Sequence, residues 1–474
     1  MEQNKFSTFN PASEELNAQY FYHSEKQIND KIDLLSKQYG SWKQESIAVR
    51  LKTLERIQKA FLEETESLAL LITTEMGKPL REAKSEVLKS ISVFQYYSQY
   101  GEKLLETQNV QTSNLKSEVH FHPLGVVLSF MPWNFPLWQV IRFAVPAWLA
   151  GNVILLKHSE ITAGVSTFIE RIVNESSSKT LIQNIFIEPE KIDFLYSRPE
   201  VRAITFTGST QVGALVAQQA GKNLKKTVLE LGGSDAYIID DSAKMEDAVE
   251  LAVKAKLINN GQSCVAAKRF FVSRKKTEEF LYLFCQKLIE KKIGSPLDEN
   301  IDLGPLAQLK FKDKITNQVK QLSRFRDVSY DSALESLKGT QLPDKGCFFA
   351  PELLVFSNIS DSNEKIFRES FQNDEIFGPV GLVYSYENKE DLITRVNQSE
   401  YGLGAAWFGD EDKFKKENWF NLLDVGMVAV NEIIRSDAKL PFGGVKKSGY
   451  GRELGAFGIY EFCNIKTLGW GQVE

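Results

Sequence analysis

The sequence predicts an α/β fold built from parallel sheets with crossover helices, and three observations carry that prediction. Short apolar runs at Val126–Phe130, Val153–Leu156, Phe194–Tyr196 and Ala203–Phe206 alternate with longer segments of helical apolar spacing, the arrangement that covers a parallel sheet on both faces. The same alternation resumes after Gly233, with Ala236–Ile239, a helix over about Ala243–Leu257, the strand Phe270–Val272 and a helix over about Thr277–Lys291. A second α/β unit therefore begins near Gly233. The length of 474 residues exceeds what one hydrophobic core organises, so two or three units are expected, with a cleft between them.

Taken in order, the elements begin with helix. From Ser24 to about Leu105 apolar residues recur at helical spacing among Lys and Glu, as in Ile47, Leu51, Leu54, Ile57 and Phe61, then Leu68, Leu71 and Ile72. Gln108 to His122 instead alternates apolar side chains at Val110, Leu115, Val119 and Phe121 with polar ones, and the tail Tyr460–Gly469 has the same pattern. Both read as strands that reach outside their own unit, because a partner strand removes the liability of an open edge. Phe143–Leu156 is the most apolar stretch, but Pro146, Gly151 and Asn152 interrupt it and it is too short to cross a bilayer. It reads as buried core.

Composition narrows the function. Hydrophobic residues make up 43% and charged residues 25%, a globular balance far from that of disordered chains. A net charge of −5 without a long basic run interleaved with aromatics argues against nucleic acid as a partner. Met1 to Asn10 carries one Lys and no apolar stretch, so no export or transit signal is read and a cytoplasmic, membrane-free protein is expected. Cys264, Cys285, Cys347 and Cys463 form no C-x-x-C pair and the chain has four His. No metal site is expected; a reduced thiol available for chemistry is.

Three short motifs carry that chemistry. Gly261-Gln262-Ser263-Cys264 places a thiol in a turn after a helical segment; alone, such a cysteine is more often a small buried hydrophobe. Glu230-Leu231-Gly232-Gly233 puts a carboxylate at a strand end, where two glycines let the backbone turn and a substrate approach. Pro132-Trp133-Asn134-Phe135-Pro136 follows the strand Val126–Phe130, and its prolines hold the loop so that the Asn134 amide can face a developing oxyanion.

In their order and spacing, with Cys264 thirty-four residues after Glu230, these motifs resemble those of the aldehyde dehydrogenase superfamily. Phe206-Thr207-Gly208-Ser209-Thr210, Glu375-Ile376-Phe377-Gly378-Pro379 and Pro441 to Gly449 extend the resemblance across nearly the whole chain. It implies a Rossmann-like cofactor domain of residues 1–107 and 124–231, a catalytic domain of 232–440 and an oligomerisation element of 108–123 and 458–474, with 441–457 returning to the cofactor domain. It also implies that Cys264 attacks the aldehyde, Asn134 and the Cys264 N–H hold the oxyanion, and Glu230 activates the water that hydrolyses the thioester. Lys157, Ser159 and Glu160 would meet the adenosine ribose, Gly208, Ser209 and Val212 the pyrophosphate, and Glu375 and Phe377 the nicotinamide ribose. Pro132, Trp133 and Leu231 complete the implied cofactor cleft.

Within the superfamily, Pro132 to Arg142, Leu155 to His158, Ala266 to Phe270 and the run from Phe442 to Leu454 are most similar to bacterial succinate semialdehyde dehydrogenases. The resemblance implies that Arg142 forks the distal carboxylate of the substrate, with Trp138, Ser263 and Ser436 lining the same tunnel. A second Arg that some relatives carry six residues before the Cys is replaced by Ile258, and Arg435 or Ser436 is the candidate replacement donor. Glu160 would accept from both ribose hydroxyls and repel a 2′-phosphate, which favours NAD while leaving room for NADP. His158 departs from the commoner family pattern and reads as a packed neighbour of the cofactor site. A homodimer or homotetramer is implied, in which Gln108–Pro123 pairs with the C-terminal segment of a neighbouring subunit. The alternative activities are a broad aliphatic aldehyde dehydrogenase, a CoA-acylating relative, against which Glu230 argues, and a cysteine hydrolase relying on one of His23, His120, His122 or His158.

Overall fold

The computed structural model describes residues 4–112, 116–357 and 375–471; Leu115 and the 358–374 stretch of the expected catalytic domain lie outside the described residues. Two six-stranded sheets organise the chain. In the first, Lys226–Glu230, Val201–Thr207, Val126–Met131, Val153–His158 and Ile182–Asn184 run parallel in that spatial order, and the short strand Gly449–Tyr450 adds antiparallel beside Lys226–Glu230. The second sheet is parallel throughout, in the order Glu352–Phe356, Val380–Tyr386, Arg269–Ser273, Ala236–Ile239, Gly404–Phe408, Met427–Val430.

Burial follows from the sequence pattern. All six residues of Val126–Met131 are buried, as a strand covered on both faces requires. The helix Trp138–Ala150 is buried along its whole length, which explains why its sequence shows no polar face. Two backbone N–H groups at its start are satisfied by Glu86, whose Oε1 accepts from Leu137 and Trp138 at 3.0 Å each. Helices Glu25–Trp42, Ile47–Glu63, Thr65–Met76 and Leu80–Leu104 realise the helical N-terminal third. The expected second-unit elements appear as Ala236–Ile239, Met245–Leu257, Arg269–Ser273 and Thr277–Ile289.

Two expectations need correction. Phe194–Tyr196 is not a strand but part of the short helix Asp193–Ser197. Three apolar residues do not define a period, whereas Asp193 in the first turn and Pro199 just beyond the end are helix boundary signals. The C-terminal strand Cys463–Trp470 pairs antiparallel with Lys116–Pro123 within one chain, where the expectation had placed that partner in a neighbouring subunit. The reason lies in the approach. The helix Gly455–Tyr460 packs on Trp138–Ala150, Tyr460 Oη donates to the Leu104 carbonyl at 2.8 Å, and Asn152 clamps both ends by donating to Phe462 and accepting from Leu124 and Gly125. That places Cys463 opposite Pro123 within one chain. With Gln108–Gln111 the two make a three-stranded sheet.

The sequence also gave no warning of an N-terminal hairpin, Lys5–Phe9 with Leu16–Phe21, whose Tyr20, together with Phe6, packs on Phe186. No helix among the described residues is long and apolar enough to cross a membrane.

Candidate active site

Three strands of the first sheet end, at their carboxyl ends, on candidate site segments: Val126–Met131 on Pro132 to Pro136, Val201–Thr207 on Gly208-Ser209, and Lys226–Glu230 on Leu231-Gly232-Gly233. In an open parallel sheet this edge is where ligands bind. The second sheet contributes the thiol. After the helix Met245–Leu257, Asn259, Asn260 and Gly261 take φ of 51°, 56° and 74°, a left-handed run that Asn and Gly tolerate best. A Cβ on Gly261 would stand 2.2 Å from the Gly378 carbonyl oxygen, so glycine is required there. The turn leads directly into Cys264, a free and partly buried cysteine.

Hydrogen bonds aim the Asn134 amide. Gln139 donates to Asn134 Oδ1 at 3.1 Å, and Asn134 Nδ2 donates to the Gln262 carbonyl at 3.0 Å, two residues before Cys264. Asn259 Nδ2 ties the two loops by donating to both the Asn134 and Gln262 carbonyls. One Nδ2 hydrogen is used and the second stays available to an oxyanion. Lys268 grips the nucleophile loop from the other side: its Nζ donates to the carbonyls of Ser263 and Cys264, each at 2.8 Å, and pairs with Glu375 Oε1 at 3.2 Å. Glu375 in turn accepts from the Gly233 N–H at 3.2 Å, so it links the turn after Glu230 to the turn of Cys264.

Electrostatics give the acid and base their characters. Burial pushes the Cys264 thiol up to about 11, against the pull of Arg142 and Lys268. Burial, reinforced by the neighbouring Glu453 carboxylate, holds Glu230 well above the ordinary carboxylate range, which raises its affinity for a proton. Both Glu230 oxygens are buried without a hydrogen-bond partner among the described residues. Oε1 lies against Gly443, where φ is 150° and a Cβ would approach to 2.7 Å. A carboxylate left unsatisfied inside a protein is a costly arrangement that active sites keep for use.

Two cavities flank Asn134. Its neighbour Trp133 lines one of about 720 Å³ with Lys157, Ser159, Glu160 and Pro189; Phe135 lines another of about 580 Å³ with Glu86, Lys89, Ile258 and Ile433. In the first, Lys157 is pushed down by burial and Glu160 accepts from Tyr22 Oη at 2.9 Å. Ser209 caps the helix Thr210–Lys222 by accepting from the Val212 N–H, and Trp133 stacks on Phe311 and meets Phe377 edge-on. These groups fit a dinucleotide: a carboxylate and an ammonium for a ribose, a helix N-terminus for phosphates and an aromatic wall. The structure thus brings Pro132, Trp133, Lys157, Ser159, Glu160, Gly208, Ser209, Val212, Leu231, Glu375 and Phe377 to one edge of the first sheet and the loops facing it. The hairpin residues Ser7 to Pro11 also line the first cavity, and nothing in the sequence pattern announced them.

Arg142 differs from the expectation. It is buried and ion-paired through Nε with Glu453, its Nη2 donates to Thr207 Oγ1 at 3.1 Å, and its guanidinium lies 4.9 Å from the Phe442 ring centre. Its charge is committed inside the wall, because Glu453, brought alongside by the returning 441–457 segment, needs a cation there. The cavity beside Phe135 is lined by Lys89, which sequence reasoning missed: Nζ donates to Ser436 Oγ at 2.8 Å and sits 4.2 Å from the Trp138 ring centre. Ser436 and Trp138 both contact Lys89, Ser263 is buried beside Cys264, and Arg435 faces Glu432 at the surface. His158 is locked between the Pro136 carbonyl and Thr162 and is lowered to about 4 by burial, so it stays neutral and structural.

Comparison with known proteins agrees with this geometry. Residues 1–468 match the model of the aldehyde dehydrogenase family. Succinate-semialdehyde dehydrogenase (NADP+) 1 of Mycobacterium tuberculosis is 34% identical over 467 residues, covering 98% of this chain and 99% of that protein. Succinate semialdehyde dehydrogenase (NAD(P)+) Sad of Escherichia coli is 35% identical, with 97% of each chain covered. Among solved structures, the succinic semialdehyde dehydrogenase of Streptococcus pyogenes in complex with NADP+ superposes with a TM-score of 0.90 at 29% identity, over 98% of this chain and 100% of that one. Sequence motifs, fold and site geometry converge, and the chain belongs to the aldehyde dehydrogenase family.

Proposed function

We propose that this protein oxidises a short aldehyde to the carboxylic acid with NAD(P)+, and that succinate semialdehyde is its substrate. The observation that carries the reading is the aim of the Asn134 amide at the Cys264 turn, through the Gln262 carbonyl two residues before the thiol, beside a buried Glu230 carboxylate with no hydrogen-bond partner among the described residues. In this reading the Cys264 thiolate adds to the aldehyde carbon and the developing oxyanion takes the second Asn134 hydrogen. A nicotinamide held through Glu375 and Phe377 supplies the hydride acceptor. Glu230 then removes a proton from the water that hydrolyses the Cys264 thioester, a task its raised affinity for protons suits. The relatives named above support succinate semialdehyde as substrate and both cofactors as candidates.

A second reading is favoured by one observation: the Arg142–Glu453 pair leaves that guanidinium no free charge for a carboxylate, as a broad aliphatic aldehyde dehydrogenase would allow. We further infer a cytoplasmic homo-oligomer. All four cysteines are free, which suits a reducing compartment, and Val110, Ile465, Leu468 and Trp470 leave apolar surface on the three-stranded sheet. The test is absorbance growth of reduced nicotinamide with succinate semialdehyde, butanal and benzaldehyde, under NAD+ and under NADP+. Turnover fastest with succinate semialdehyde is expected; no turnover with any aldehyde overturns the reading.

A further inference from the structure

Three cations act on the Cys264 thiol: Arg142, Lys268 and Lys89. The first two are already paired, Arg142 with Glu453 and Lys268 with Glu375. Lys89 has no carboxylate within ion-pair distance among the described residues, the Glu86 and Asp437 charges acting on it only from farther away; the one hydrogen bond of its ammonium goes to the neutral Ser436 hydroxyl. It stands on the helix Leu80–Leu104 and lines the cavity that also contains Phe135 and Ile258. Glu86, one turn away on the same helix, does not neutralise it, because Glu86 pairs with Lys78 and accepts both N–H groups at the start of the helix Trp138–Ala150. Burial, then the charge of Arg142, lowers Lys89 to about 8, so it remains mainly a cation at neutral pH. A partly buried, unpaired ammonium over an aromatic ring is an arrangement that an incoming anion stabilises.

We propose that Lys89, held by Ser436 and backed by the Trp138 ring, is the group that recognises the distal carboxylate of the aldehyde substrate. One ammonium hydrogen points to Ser436, two remain for the carboxylate, and the Ser436 hydroxyl hydrogen is itself free to donate to it. The pair takes over the task that the sequence assigned to Arg142, and it does so where Ile258 offers no second cation. Specificity here is for a short aldehyde with a terminal carboxylate, over an uncharged aldehyde of the same length. This inference rests on the aldehyde-oxidation reading above and names the residue that decides among aldehydes.

The experiment compares kcat/KM for succinate semialdehyde and for butanal in wild type, Lys89→Met, Lys89→Arg and Ser436→Ala, each verified as folded by circular dichroism. In Lys89→Met the succinate semialdehyde/butanal ratio is expected to fall by about 30- to 1000-fold, mostly through KM, since a desolvated charge pair is lost. Lys89→Arg keeps most of the ratio, and Ser436→Ala lowers it by a smaller factor. If Lys89→Met does not fold, the arginine and Ser436 variants decide: a ratio unchanged in Ser436→Ala and lost in Lys89→Arg overturns the proposal. A Lys89→Met enzyme whose two activities fall equally also overturns it, and shows a residue serving the thiol or the wall. Failure of the wild type on both aldehydes would be failure of the activity itself, whereas turnover of both with an intact ratio in Lys89→Met would refute Lys89 alone.

Discussion

Replacing Arg142 with Met separates a residue of the wall from a residue of the tunnel. The side chains of Arg142 and Glu453 are 2% and 1% exposed, so solvent does little to soften the loss. Removing one partner of such a pair costs about 3–5 kcal/mol, because the other charge is stranded, and the Thr207 hydrogen bond adds about 1 kcal/mol. Part is recovered if Glu453 takes up a proton. Burial already raises its affinity for one, and without Arg142 that affinity rises further. An acid whose folded pKa lies above its unfolded value stabilises the fold most when protonated; the deficit of the variant against wild type is therefore smallest at low pH and grows as pH rises toward neutrality. The double replacement Arg142→Met with Glu453→Met restores most of the loss, as a matched apolar pair does for buried ions. Thermal and urea midpoints across pH, with kcat/KM on succinate semialdehyde and butanal, read out both roles. An unchanged midpoint together with a loss confined to the carboxylate aldehyde would refute this reasoning and make Arg142 the substrate fork.

Other consequences follow from the same geometry. Asn134→Ala removes one aimed donor and lowers kcat by about 100- to 1000-fold in steady-state assays; a loss under threefold would remove it from the oxyanion site. With burial pushing Cys264 to about 11, its alkylation by iodoacetamide in the cofactor-free enzyme rises about tenfold per pH unit from 7 to 10, with Cys264→Ala as control, and a plateau near pH 7 would contradict that environment. Glu160→Gln removes the negative charge that Tyr22 orients and raises the NADP+ to NAD+ ratio of kcat/KM by about tenfold, measured with one aldehyde at saturation; an unchanged ratio would place Glu160 away from the 2′ position.

Much of this site was legible because short motifs carry it. Pro132 to Pro136, Glu230 to Gly233 and Gly261 to Cys264 each sit where a strand or helix ends, and apolar runs of six residues such as Val126–Met131 leave little choice of structure. Phe194–Tyr196 failed for the opposite reason, as three apolar residues fit a strand or one helical turn equally. Long-range pairing was invisible. Arg142 and Glu453 are more than three hundred residues apart in the chain, so no local pattern reveals that one neutralises the other. Lys89 looked like one more polar residue on an amphipathic helix, and only packing against Trp138 and Ser436 gives it a role. The N-terminal hairpin was missed because its strands are short and bury only Thr8 fully, too little for a clear pattern.

The central claim, that Cys264 forms the covalent intermediate while Glu230 serves its hydrolysis, is tested most directly by stopped-flow absorbance of reduced nicotinamide in Glu230→Gln beside Cys264→Ala. The account predicts a burst near one equivalent per active site in Glu230→Gln, followed by slow turnover, and no burst in Cys264→Ala. Absence of the burst in Glu230→Gln would contradict it, because the carboxylate would then be needed to activate the thiol rather than the water.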